Sequence, residues 1–431
     1  MAPQQNSDLR GNAGVQQMHR IVPVFGLLVM ILLAWLMSSE RRRFPWRVVL
    51  GGTALQLVLA ATILGTEQGK DIFSGIGDFF TRLLGFVDAG CSFVFGPNYA
   101  NFYFAFRVLP TIIFFSSLMS ILYHLGVMQF VVRMLSRVMQ ITLRTSGAES
   151  LSAAANIFVG QTEAPFVVLP YIARMTRSEL MAVMIGGFAT VAGGVLAVYI
   201  GFGIDAGHLV TASFISAPAG LLIAKVMQPE TATPDTLGTT SSVMTRQTTN
   251  VIEAATAGAA EGLKLALNVA AMMIAFLALI AMVDFCLERS SVWLMQSFGQ
   301  LNPQPWTLSR IFGILFAPLA WLMGIEWKDC SAAGELLGIK MVANELVAYQ
   351  RMSEWMKGSA AISSFSPRSA VIMTYALCGF SNFASIGIQV GGIGGLAPER
   401  RAELAQLGFR AMLGGTLACC MTACVAAIVI E

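Results

Sequence analysis

Charge is scarce in this chain. Asp, Glu, Lys and Arg make up 12% of its 431 residues, about half the share usual in a soluble domain. That shortfall excludes an ordinary water-facing surface. Histidine is rarer still: His19, His124 and His208 all lie near the ends of expected spans and read as interfacial residues, not catalytic bases. The seven cysteines lack metal-ligand spacing and lie mostly in or beside apolar runs, where cysteine acts as a small hydrophobe. No nucleophile–base pair, P-loop or metal motif occurs, which argues against an ATP-driven pump and an intramembrane enzyme. The net charge is +3 and the basic residues cluster at segment ends, so no nucleic-acid patch is present.

What the chain has instead is apolar length. It is 56% hydrophobic with mean hydropathy +0.69, and several runs approach the roughly 20 residues that span a bilayer. The reading is an all-α polytopic membrane protein of about eight transmembrane helices. Spans are expected at 21–37, 48–64, 104–125, 180–202, 209–227, 263–287, just after Arg368, and at 409–430. Residues 1–18 are polar and read as a flexible tail, and 19–147 as N-terminal spans and scaffold. Within them, 71–95 place apolar residues at helical spacing between Asp78, Arg82 and Asp88, as an interfacial amphipathic helix does. A first repeat is expected at 148–227, a mobile cytoplasmic linker without apolar period at 228–250, scaffold and interfacial helices at 251–330, and a second repeat at 331–431. Residues 251–262 read as a small-residue amphipathic stretch. Pro318 interrupts 310–325, which should lie at the interface or dip partway. Basic loops at Arg41 to Arg43, Arg133 to Arg144, Arg174, Arg177, Arg400 and Arg401 mark the inside, so both termini are expected outside.

The organising stretch is Asn156 to Pro165, which sets Gln161, Thr162 and Glu163 side by side within apolar surroundings. An ionised carboxylate at membrane depth costs several kcal/mol unless a cavity or partner compensates. Its flanks, 151–159 and 166–172, are each too short to span, so the segment reads as a re-entrant hairpin with a break between Gly160 and Pro165. A second polar break, Ala343-Asn344-Glu345, repeats the pattern. Each hairpin is followed by Arg-Ser at a helix start (Arg177-Ser178, Arg368-Ser369) and then by a span with a Gly-Phe break: Gly187-Phe188-Ala189-Thr190 and Gly379-Phe380-Ser381-Asn382. The basic loops put the first hairpin inside and the second outside. Paired interrupted segments of opposite topology point to a secondary transporter with its site at the repeat interface.

Gly160 to Pro165, Asn344-Glu345 with Val347-Ala348-Tyr349, Ser366 to Ser369, Cys378 to Phe383 and Ala317 to Gly324 together resemble the signatures of the concentrative nucleoside transporters. The likeness runs from about residue 20 to the end. One departure is Glu326 before Trp327, where the family more often has Pro. The resemblance implies that Gln161, Thr162 and Glu163 face the nucleobase, and that Glu345, Asn382 and Ser385 hold the ribose. It implies a sodium cage of the Asn156 side chain, the Val159 carbonyl, the Thr190 hydroxyl and the Val191 carbonyl. It further implies sodium-coupled nucleoside import across a bacterial inner membrane by a homotrimer, with no cofactor beyond the coupling ion. Proton coupling through Glu163 stays open as an alternative. A channel, and an intramembrane hydrolase using Glu163 and Glu345 as paired acids, are the rivals from other classes.

Overall fold

In a bilayer, backbone groups must be satisfied internally, so apolar runs of this length can only form helices. The computed structural model describes residues 3–102, 104–238, 248–298, 305–357 and 365–430. It contains, among the described residues, α1 (Pro3–Leu36), α2 (Trp46–Leu64), α3 (Glu67–Phe95), α4 (Leu109–His124), α5 (Val127–Leu143), α6 (Gly147–Ala155), α7 (Leu169–Ile172), α8 (Arg177–Ala189), α9 (Gly193–Gly201) and α10 (Ala206–Met227). The second half holds α11 (Val251–Ser297), α12 (Leu308–Leu322), α13 (Trp327–Val342), α14 (Glu345–Met356), α15 (Pro367–Leu377), α16 (Phe383–Leu396) and α17 (Arg401–Val429). Among the described residues, six helical stretches are long and apolar enough to cross a membrane. Arg20–Leu36 and α16 are shorter apolar helices, and the bent pair α12–α13 makes a seventh crossing if taken as one span.

Both hairpins form where the sequence breaks. In the first, α6 ends at Asn156, and the chain resumes as a 3-10 turn over Ala164–Val168 and then α7. Pro165 and Pro170 sit at the starts of these turns, where a missing N–H costs nothing. In the second, α13 and α14 are separated by Ala343 and Asn344, and Asn344 caps α14 by accepting from Val347 N at 2.9 Å. The spans that follow are both interrupted, at Thr190 to Ala192 and at Cys378 to Asn382. The two interruptions meet: Phe380 N donates to the Thr190 carbonyl at 3.2 Å. Gly379 permits this, because a Cβ there would fall 2.5 Å from Cys419 Sγ and 2.7 Å from the Phe188 carbonyl.

The hairpins open on opposite faces. On one face, Arg400 donates to the carbonyls of Ile172, Ala173 and Met175, and Arg410 to those of Met37 and Met227. On the other, Arg368 donates to the Ala427 and Ile430 carbonyls, and the Ser353 hydroxyl to the Phe202 carbonyl. The first face collects the ends of α1, α7 and α10 with the start of α17. The second collects the ends of α9, α14 and α17 with the start of α15.

The hairpins and the helices that follow them form the interior, and α11 lies at the periphery, mostly exposed along its 47 residues. Several expectations are modified. The stretch 251–262 leads without a break into the following span, the two forming α11. Residues 3–18 are helical, continuing α1 toward the N-terminus, as propagation from a formed helix is cheaper than nucleation. The segment around Pro318 forms α12, which turns by 117° into α13 and packs on it through Gly313, Gly334 and Gly338. Glu326, the departure from the family pattern, has φ −60°, a value proline would share. The basic segment after α4 is itself an amphipathic helix, α5. Part of the linker, 239–247, lies outside the described residues. Its first part is docked: Thr236 accepts from Gly147 N at 2.9 Å through its carbonyl and from Ala148 N at 3.0 Å through its hydroxyl. Beside it, Lys225 joins Glu149 at 2.7 Å and Glu230 at 3.1 Å, tying α10, the linker and the first hairpin together.

Candidate substrate site

Local capping positions the central side chains. Asn382 is the N-cap of α16, its Oδ1 accepting from Ser385 N at 2.9 Å. That turns its Nδ2 to Glu345 Oε2, 3.2 Å away. Glu345 is the first residue of α14 and is buried, 4% exposed. Its other oxygen accepts from Tyr199 Oη of α9 at 3.0 Å, and the Tyr199 ring lies 4.4 Å from that of Tyr349. Across the same turn of α16, Gln161 Nε2 of the first hairpin donates to Ser385 Oγ at 3.0 Å. A chain of hydrogen bonds thus joins the first hairpin, α16, the second hairpin and α9.

Of the six residues expected at the substrate, Gln161, Glu345, Asn382 and Ser385 are brought into this chain. Thr162 lies against α16 where Gly392 leaves room, a Cβ there falling 3.1 Å from Thr162 Cγ2. Glu163 stands apart: its Oε2 accepts only weakly from Gly160 N, at 3.4 Å. The side chains hydrogen-bonded to Glu345 are a phenol and an amide, and the buried Lys340 is the cation that acts on it. Two participants escaped the sequence reading. Tyr199 sits in an apolar run that does nothing to set it apart. Gln389, whose Nε2 donates to Gln161 Oε1 at 3.0 Å and to the Met184 carbonyl at 3.1 Å, was legible only as a polar group inside a span.

The four expected ion ligands lie around the first hairpin's break and the α8–α9 break. Asn156 is 1% exposed, yet neither polar atom of its side chain has a hydrogen-bond partner. A buried amide left this way is costly, and its oxygen is free to coordinate a small cation. The Asn156 amide lies against Gly186, 3.1 Å from where a Cβ would be, and the Gly186 carbonyl accepts from the Thr190 hydroxyl at 2.8 Å. The loop is pinned to the break by Gly193 N donating to the Phe158 carbonyl at 3.0 Å. Among the described residues, no cluster of His, Cys, Asp and Glu suits a transition metal. The donors are hard oxygens, as an alkali ion requires.

Two hairpins and two broken helices meeting at a polar site are the arrangement of a multi-pass membrane transporter. Three family models match: the Na+ dependent nucleoside transporter N-terminus over residues 25–98, a nucleoside recognition (gate) model over 105–206, and the Na+ dependent nucleoside transporter C-terminus over 208–427. The chain belongs to the Na+ dependent nucleoside transporter family. It is similar to an uncharacterized transporter of Haemophilus influenzae, 44% identical over 413 residues, covering 94% of this chain and 97% of that protein. It is 42% identical to human solute carrier family 28 member 3 and to rat sodium/nucleoside cotransporter 1, with 95% and 96% of this chain covered. The chain spans 60% and 64% of the length of those two relatives. Among solved structures it resembles CNTnw in an inward-facing substrate-bound state, at TM-score 0.88 and 41% identity, covering 95% of this chain and 98% of that one. An outward-facing double variant of CNTnw gives TM-score 0.89 at 41% identity, covering 96% and 98%.

Proposed function

We propose that the protein imports nucleosides by sodium symport, exposing one site alternately to each side of the cytoplasmic membrane. The observation that carries this is the chain of Gln161, Ser385, Asn382 and Glu345, which draws on both repeats at once. A carboxylate beside an amide suits the vicinal hydroxyls of a ribose, since hydrogen bonds to a charged acceptor are strong. Gln161, with Thr162 and Glu163 beside it, offers donors and acceptors to the edge of a base. Asn156 and Thr190, with the carbonyls of Val159 and Val191, form the sodium cage, and the unpartnered Asn156 amide supports that role. Relatives named as sodium/nucleoside cotransporters support the same pairing of cargo and ion. The working unit is a homotrimer in the inner membrane, with α3, α4 and α11 as scaffold and both termini outside.

The test is uptake and counterflow in proteoliposomes with a panel of nucleosides, with and without a sodium gradient. Accumulation that requires sodium supports the reading. Accumulation that follows a pH gradient and ignores sodium moves the coupling to Glu163. Flux without uphill accumulation makes the protein a channel, and appearance of a cleaved product makes it a hydrolase.

A further inference from the structure

We propose that Gln389 is a positioning residue that fixes which end of the Gln161 amide is offered to the substrate. This rests on the reading of Gln161 as a nucleobase contact. An amide is a donor at one end and an acceptor at the other, so its orientation decides which base edges fit.

The orientation follows from a group that cannot be reversed. The Met184 carbonyl in α8 only accepts, so the Gln389 atom 3.1 Å from it is the amide nitrogen. That same nitrogen lies 3.0 Å from the Gln161 side chain, so the Gln161 atom facing it is the carbonyl oxygen. The Gln161 nitrogen is thereby turned to Ser385 Oγ at 3.0 Å, and the serine hydroxyl, able to donate or accept, imposes nothing of its own. Gln389 stands one turn beyond Ser385 on α16 and is 0% exposed. Its own oxygen is buried without a partner, so the residue serves here through its donor. The space for the pair comes from Gly187, where a Cβ would fall 2.8 Å from Gln389 Nε2 and 2.8 Å from Gln161 Cβ. Held in this way, Gln161 presents a donor and favours a base edge that accepts. Uridine and inosine carry a carbonyl where cytidine and adenosine carry an amino group.

The test is the KM of uridine, cytidine, inosine and adenosine for the full chain in proteoliposomes. The unmodified protein is expected to give a lower KM for the oxo member of each pair. Gln389→Met keeps the volume and removes the donor, freeing Gln161 to turn over. Each KM ratio should then move toward one by about fivefold, the effect of one ordinary hydrogen bond, while the half-saturating sodium concentration stays where it was. Gln389→Leu is the second variant, read in the same way where the first fails to insert. No oxo preference in the unmodified protein, or ratios unchanged in a folded variant, overturns the proposal. A protein that takes up no nucleoside at all overturns instead the reading beneath it.

Discussion

At the scale of single residues, Glu345 accepts hydrogen bonds from two neutral side chains, a phenol and an amide. Removing its charge takes away an acceptor and also the negative charge that acts on the buried Lys340, whose ammonium donates to the Ala376 carbonyl at 2.9 Å. Glu345→Gln is expected to raise the KM for ribonucleosides by an amount on the order of 1.5–3 kcal/mol, about ten- to a hundredfold. Competition by free nucleobases should change little. Equal loss for both would remove Glu345 from the sugar. Asn156 makes no hydrogen bond through its side chain, so Asn156→Ala breaks no protein contact of that kind. Its expected effect is a higher half-saturating sodium concentration with the order of nucleoside preference kept. A change of preference without a sodium shift would count against the cage.

At the scale of elements, the hairpins and broken spans depend on close approach. Gly415 lies where a Cβ would fall 2.3 Å from Phe188 Cβ, and Gly379 packs on the same helix end and on Cys419. Overfilling a tight contact costs about 1–3 kcal/mol. Gly379→Ala is expected to lower the melting temperature in detergent and slow transport, whereas Gly395→Ala, with open space around its Cβ, should leave melting unchanged. Equal melting for the two would show that the crossing of the breaks tolerates slack. The base of the first hairpin has its own lock in Lys225, Glu149 and Glu230. Breaking a buried ion pair by removing one partner costs on the order of 3–5 kcal/mol, so Lys225→Met should reduce folded yield far more than an exposed exchange such as Lys264→Met. Lys264 sits two-thirds exposed in a pair with Glu261.

At the scale of the whole molecule, the contacts of Arg400 and Arg410 on one face and of Arg368 on the other set the two hairpins in opposite directions. Topology then follows from charge. The face holding the α1–α2 loop and the start of α17 carries Arg41 to Arg43, Arg47, Arg400 and Arg401, which favours the cytoplasmic side. Leu237 and Met356 are well exposed near the first and second hairpins. Cysteines placed there, in a protein lacking the exposed Cys286, should react with an impermeant thiol reagent from opposite sides of the membrane, Leu237→Cys from inside. Labelling of both from one side would remove the inverted-repeat arrangement.

The sequence by itself determined much of this. Spans, hairpins and breaks were legible because a bilayer admits few solutions: apolar length writes a helix, and Gly, Pro or a capping Asn within it writes a break. The candidate site residues stood out too, because acids and amides at membrane depth are conspicuous among Leu, Val and Phe. Tertiary structure alone decided which of them touch. Gln161 and Ser385 are 224 positions apart and Tyr199 and Glu345 are 146 apart, and no periodicity records such pairings. It also decided that Tyr199 is a partner of Glu345, that the linker's first part docks on the hairpin, and that 251–297 is one helix. The physical reason is the same in each case. Local sequence sets what a segment can become, whereas the choice of hydrogen-bond partner depends on which helices the glycines allow to come close.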